Sequence, residues 1–159
     1  MKELVVYPDE RLRAKSSNVV EFGSVLTPAI EDMTWVMRTL TGNGIGITAV
    51  QCGTHLKMAI LELNYKEKKK GHPLFIANPQ VLKVEGMRLG SEGCLSFPGQ
   101  FHGIKRPTLV WLEYQDQEGR KHRQFFHELW ARCVLHEVDH FEGVLIIDRL
   151  KEQEVETSL

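Results

Sequence analysis

Two histidines and a glutamate near the end of the chain are spaced for metal chemistry. The stretch from Leu135 to Gly143 reads LHEVDHFEG. At about 3.6 residues per turn, positions four apart share one face of a helix. His136 and His140 can therefore aim two imidazoles at one ion. Glu137 lies about 100° round the helix from His136, close enough to reach a water on that ion. The pattern is short, and a helix that merely carries two histidines is the plain alternative. The flanks weigh against it. Cys133, Val134, Leu135, Val138 and Phe141 make the segment apolar, and lone imidazoles in such a setting are costly unless paired or coordinated.

A hydrolytic centre of this kind needs a third protein ligand and one open position. Some metalloproteases supply a third histidine six residues further on. Here Gly143 falls where their glycine does, but Ile146 stands in place of that histidine. Glu152, Glu154 and Glu156 lie in a charged tail that reads as a solvated end. The search therefore turns upstream, to thiols. Cys133 faces roughly the same way as His136, but from 133 to 140 the helix rises about 10 Å. Metal bonds of about 2.0–2.3 Å do not span that, so Cys133 reads as packing beside the site. Cys52 follows the glycine-rich GIGITAVQCG, and Cys94 sits in SEGCLSFPG. The second setting suggests irregular backbone that can aim a side chain. The residues alone leave Cys52 and Cys94 both open, a buried inert thiol being the usual fate of either.

The elements that must hold these groups can be outlined. TPAIEDMTWVMRTLTGNG reads as a helix with Thr27 as N-cap and Pro28 in the first turn. Its apolar stripe is Ile30, Met33, Met37 and Leu40, and Gly42 and Gly44 end it. Residues 56–64, 73–85 and 107–115 read as strands. DQEG (116–119) is a turn, from which RKHRQFF returns as another strand. The helix bearing the histidines starts near His127 without a convincing cap. Strands first and a late helix predict an α+β fold, with antiparallel strands packed around a central helix that carries the HExxH pattern. One domain over residues 1–159 is expected, since this length builds one real core.

Composition narrows the function. A hydrophobic fraction of 42% and a charged fraction of 26% are those of an ordinary globular chain. The net charge of −1 offers no footprint for direct nucleic-acid or membrane binding. MKELVVYPDERLR lacks the apolar core of a signal peptide, and no apolar run reaches transmembrane length, so a cytoplasmic location is expected. Three sparse cysteines argue against a disulfide framework and leave a thiolate ligand available. KEKKK (66–70) reads as a solvated loop tip, with a basic docking patch as the sharper alternative.

Three segments together carry a resemblance. GIGITAVQ (44–51), EGCLS (92–96) and HEVDH (136–140) resemble, in order, the three motifs of the peptide deformylase family, G-x-G-L-A-A-x-Q, E-G-C-L-S and H-E-x-D-H. The likeness runs from YPDERLR to GVLIIDRL, almost the whole chain. The family removes the formyl group from the N-terminal formyl-methionine of nascent peptides. The resemblance implies Cys94, His136 and His140 as metal ligands, with water in the fourth position. It implies iron(II) in the cell; zinc, nickel and cobalt also suit a thiolate with two imidazoles. Glu137 then takes the proton of the attacking water and passes one to the leaving amine. The Gln51 side-chain amide and the Leu95 backbone N–H are implied donors to the developing oxyanion. Gly44, Ile45 and Gly46 are implied to run beside the substrate backbone like an added strand, with Gly46 allowing close approach. Ile45, Leu129 and Cys133 match positions lining the methionine pocket. Glu92 and Arg106 are expected to pair and brace Cys94, with a surface salt bridge as the bland alternative.

The match departs from the family pattern in places. Ile47 replaces leucine, Thr48 replaces alanine, and Val50 stands where proline or threonine is usual. Thr48 brings a hydroxyl into a packed place, where it would narrow the site or accept a backbone bond. Phe101 stands at a position the family varies between arginine and aromatics. KEQEVETSL reads as a stub in place of the long C-terminal helix of many bacterial relatives, which puts transient ribosome contact in doubt. Two alternatives from other classes remain at this point. One is a noncatalytic or specialised relative that binds formyl-Met peptides; the other is a metallopeptidase.

Overall fold

A computed structural model describes residues 3–40, 44–62 and 73–157. Seven strands run β1 (Gly46–Thr48), β2 (Met58–Leu61), β3 (Leu74–Glu85), β4 (Arg88–Gly93), β5 (Phe101–Arg106), β6 (Leu109–Gln115) and β7 (Lys121–His127). The α-helices are α1 (Thr27–Trp35), α2 (Glu128–Phe141) and α3 (Ile146–Thr157). Five strands form one antiparallel sheet in the order β1-β2-β3-β6-β7, and β4 and β5 form a separate antiparallel pair. The architecture is mixed α+β with antiparallel sheets, as the strand-rich pattern predicts. Among the described residues, no helix is long and apolar enough to cross a membrane.

Alternation along β2 explains the layering. Ala59 and Leu61 point to one face, where they meet Val110, Leu112 and Phe126 of the sheet and Ala131, Val134 and Phe141 of α2. Met58 and Ile60 point to the other, against Met33, Val36 and Met37. A third cluster joins Val5 and Leu12 to Ile104 of β5 and to Leu145 and Ile146. Cys94 and Phe97 belong to this cluster, so the thiol's loop is seated by apolar burial at a seam between elements.

Several details differ from the expectations. Thr27 is inside its helix rather than capping it. A 3-10 turn, Gly23–Leu26, leads in, and the Thr27 hydroxyl accepts a bond from Gln117 Nε2 at 3.3 Å. After Trp35 the chain continues as one π-helical turn, Val36–Leu40. Met33 and Met37 are buried as the stripe predicts, but Leu40 is exposed. Gly42, the KEKKK segment and the end of the expected 56–64 strand lie outside the described residues. β1, β4 and β5 were not foreseen; RLGSEG and FHGIKR carry glycines and charges that weaken any strand signal.

The tail is the largest correction. Residues 151–157, expected as a solvated stub, continue a helix that runs Ile146–Thr157. Leu145, Ile146 and the partly buried Leu150 pack into the third cluster. Gln153 seals the outer edge of β5: its Nε2 donates to Gly103 O at 2.9 Å, and its Oε1 accepts from the Lys105 N–H. Its glutamates do face solvent. Between α2 and α3 the chain turns at Gly143 (φ 71), whose N–H meets His140 O at 3.1 Å. A Cβ there would sit 2.3 Å from the Arg13 carbonyl oxygen, so only glycine fits.

Candidate metal centre

Helix α2 presents its polar side inward. His127 gives it no side-chain cap, as the sequence suggests. Instead the Glu128 N–H meets Thr108 O at 2.8 Å, which ties the helix start to the residue just before β6. His136, Glu137, Asp139 and His140 are all buried. Cys94 enters from the turn after β4, closed by Phe97 N–H to Cys94 O at 2.9 Å. Its Sγ lies 3.3 Å from His140 Nε2, which is 3.2 Å from His136 Nε2. The ligand atoms of Cys94, His136 and His140 all lie within 4.8 Å of one another. Cys52 and Cys133 stay out of this cluster, and burial pushes both thiols up to about 12.

The donor set fits a divalent metal. His136 Nδ1 lies 2.7 Å from Glu92 Oε1, which directs Nε2 to the cluster. Burial and the neighbouring His136 hold His140 well below the ordinary imidazole value, so its lone pair is available. On His136 burial opposes a charge, but Cys94, Glu92 and Glu137 outweigh it and raise the value well above the ordinary one. A group of acceptors that holds a proton this firmly is one that favours a cation. Glu137 stands beside the cluster without joining it. Burial pushes its carboxyl up to about 7, Glu92 adding to the rise while His136 and Arg106 oppose it. Its Oε2 is buried with no partner among the described residues, as suits a group facing a water or a reacting atom.

Gln51 is 1% exposed, which rules out a loose loop amide. It is the third residue of a 3-10 turn, Ala49–Cys52, capped by Thr48. The Thr48 N–H donates to Gln51 Oε1 at 2.9 Å and the Thr48 hydroxyl lies 3.2 Å from the same atom, while that hydroxyl accepts from the Gln51 backbone. With Oε1 held, Nε2 turns to Ser96 Oγ at 3.1 Å and Cys94 Sγ at 3.6 Å. The hydroxyl of Thr48 thus orients the amide, and Ser96, itself bonded to Val5 O at 2.8 Å, fixes the other end.

Glu92 and Arg106 do pair, at 2.7 and 3.1 Å, and at 6% and 4% exposure this is no surface bridge. The pair reaches His136 rather than Cys94 as expected. Burial pushes the Glu92 carboxyl up, but hydrogen bonds from His136 and Arg106 outweigh it and hold it well below the usual carboxylate range. Arg106 Nη1 also bonds Asp139 at 2.6 Å, and Arg149 of α3 meets the same carboxylate at 2.5 and 2.9 Å. Sequence reasoning missed Ser96, Arg132, Asp139 and Arg149. The first and third sit inside the quoted motifs, whereas nothing local marks the two arginines.

A cavity of about 540 Å³ opens from the cluster. Gly44, Ile45, Gly46, Leu95 and Phe101 line it, together with Leu129 and Cys133 from α2. All the expected pocket residues therefore line one space. Leu129 and Phe101 stand at 52% and 73% exposure, as residues at a mouth rather than a core. Gly46 has a role that was not anticipated. A Cβ on it would lie 2.3 Å from Glu137 Oε1, so the missing side chain makes room for the carboxylate.

Known proteins agree with this geometry. The polypeptide deformylase family model matches residues 1–156. A peptide deformylase of Zymomonas mobilis is 37% identical over 147 residues, covering 90% of this chain and 82% of that one. One from Alkalilimnicola ehrlichii is 35% identical over 150 residues, covering 94% and 82%. Among solved structures, a peptide deformylase from Synechococcus elongatus in complex with actinonin superposes with a TM-score of 0.88 at 34% identity, over 92% of this chain and 79% of that one. The enzyme from Thermotoga maritima gives 0.84 at 31%, over 94% and 97%. Fold, motif order and a match that spans nearly every residue agree, and the chain belongs to the polypeptide deformylase family.

Proposed function

We propose that this chain is a metal-dependent hydrolase that removes the N-formyl group from formyl-methionyl nascent peptides and releases formate. The observation that carries the reading is the buried Cys94–His136–His140 cluster with Glu137 beside it at the head of the cavity. Helix α2 is the central helix on this reading, and residues 1–159 work as one catalytic unit. Cys94, His136 and His140 hold one divalent metal, iron(II) in the cell, with zinc, nickel or cobalt as substitutes. When bound, the metal supplies Lewis acidity that polarises the formyl carbonyl and acidifies water.

The remaining work falls to the chain's own side chains. Glu137 takes the proton from the attacking water and returns one to the leaving amine. Gln51 Nε2 and the Leu95 N–H donate to the oxyanion. Gly44, Ile45 and Gly46 hold the peptide backbone along β1, and Ile45, Leu129 and Cys133 surround the methionine side chain, whose flexible thioether suits such a wall. Glu92 and Arg106 keep His136 in place. The cytoplasm, where nascent formylated chains appear, is the matching location, and transient ribosome contact is compatible with the reading.

The test is formate release by metal-loaded protein from formyl-Met, formyl-Gly and formyl-Asp peptides. The expected order puts formyl-Met first in kcat/KM. Binding without formate would identify a noncatalytic relative, and cleavage of internal bonds a metallopeptidase. Equal rates for the three peptides would remove the side-chain pocket from the account.

A further inference from the structure

Arg132 belongs to no motif, yet it occupies a position between the substrate cavity and the candidate metal ligands. Leu129, Arg132, Cys133 and His136 lie on one face of α2 and all line the cavity. The Arg132 side chain is 12% exposed and fixed at three points. Its Nη1 donates to Glu92 Oε2 and to Ile104 O, both at 2.9 Å, and its Nη2 donates to Arg88 O at 3.0 Å. The guanidinium lies against Gly90. A Cβ there would come 2.8 Å from Nη2 and 3.1 Å from Cζ, so the glycine provides the space the arginine fills.

Bonds to Glu92 show what this accomplishes. Oε1 meets Arg106 Nη2 and His136 Nδ1, each at 2.7 Å. Oε2 accepts from Arg106 Nε at 3.1 Å and from Arg132 Nη1 at 2.9 Å. A carboxylate has about four lone-pair sites, and here each has a partner. Arg106 approaches as a fork that fixes the plane of the group. His136 then stands on one oxygen and Arg132 on the other, so Arg132 resists any rotation of the carboxylate that would release the imidazole.

We propose that Arg132 is a positioning residue for His136, acting through Glu92, and that Gly90 is the space that permits it. The inference rests on the reading of Cys94, His136 and His140 as metal ligands. The experiment loads the parent, Arg132→Met, Arg132→Lys, Gly90→Ala and Leu129→Ala with zinc, confirms folding by thermal melts, and follows zinc transfer to a chromogenic chelator. Partners that orient a metal-bound histidine are typically worth about 10–100-fold in metal affinity. Arg132→Met should therefore release zinc about 10–100-fold faster and lose kcat on formyl-Met peptides. Arg132→Lys should fall between, because an ammonium can still meet Oε2 but loses the fork to Ile104 and Arg88. Gly90→Ala keeps the arginine but displaces it, so it should also release zinc faster; it carries the test if Arg132→Met does not fold. Leu129→Ala shares the cavity wall but has no bond to Glu92; it should raise KM and release zinc at the parent rate. Parent-like release from Arg132→Met, or from Gly90→Ala where the former is unfolded, overturns the role. A parent that takes up no zinc overturns the metal centre itself, which is a different failure.

Discussion

Glu137 and Cys94 line one cavity but differ in the work proposed for them, and substitution separates them. Glu137→Gln keeps size and hydrogen bonding but removes the base. General acid–base help is worth about 10²–10⁴-fold, so kcat should fall by that order while metal content and peptide affinity stay. If formate still appears at near the parent rate, Glu137 is not the base; if the metal is lost, it belongs to the ligand set. Elemental analysis should show Cys94→Ala depleted of metal, with Cys52→Ala and Cys133→Ala loaded as the parent is. Full occupancy in Cys94→Ala would sink the ligand assignment. At this scale much was legible. Helical spacing and apolar flanks bring His136, Glu137 and His140 forward as candidates, whereas Cys94 needed the company of the other motifs. For Thr48 the backbone bond its hydroxyl accepts was legible, but its hold on the Gln51 side-chain amide was not, because a threonine in a glycine-rich stretch gives no sign of which amide it orients.

Among the elements, β1 and α2 meet at Gly46. The approach is so close that a methyl group on Gly46 would overlap the Glu137 carboxylate. Gly46→Ala should therefore push Glu137 off its line. A displacement of about 1 Å can cost on the order of 10²-fold in rate, so a kcat loss of that order with metal content unchanged is expected. Parent activity would show that the carboxylate tolerates the shift. The strands β2, β3, β6 and β7 were readable because apolar alternation and a DQEG turn are local signals. The β4–β5 pair was not, because its stability comes from pairing and from Gln153, whose contact to β5 joins residues about fifty positions apart. Hydrogen bonds of that range leave no periodicity in sequence.

For the whole molecule, α3 acts as a brace. Arg149 bonds Asp139, Asp139 bonds Arg106, Arg106 bonds Glu92, and Glu92 meets His136. The chain of contacts ties the last helix to the candidate ligands. Arg149→Met leaves Arg106 on Asp139, and Arg149 is partly exposed, so a loss of about 1–3 kcal/mol is expected. For a chain of this size that is about 2–4 °C in Tm per kcal/mol. A thermal melt checks it, and an unchanged Tm would show that α3 docks on its apolar residues alone. The sequence reads Glu152, Glu154 and Glu156 as a solvated tail because charges dominate there; the apolar residues that anchor the helix, Leu145, Ile146, Ile147 and Leu150, all lie before them.

The two ends of the five-stranded sheet are treated differently. β7 closes one end with Lys121 and Arg123 exposed along it, charges that discourage a foreign strand. β1 closes the other with only Gly46, Ile47 and Thr48, none charged, beside the cavity. Among the described residues no strand pairs beyond β1 at that end. A peptide that pairs with β1 would become a temporary sixth strand, held by main-chain atoms that every protein possesses. Only the first side chain would need to be read. On the proposed function, such a sheet would take newly made chains of any sequence, each turnover adding a strand and giving it back.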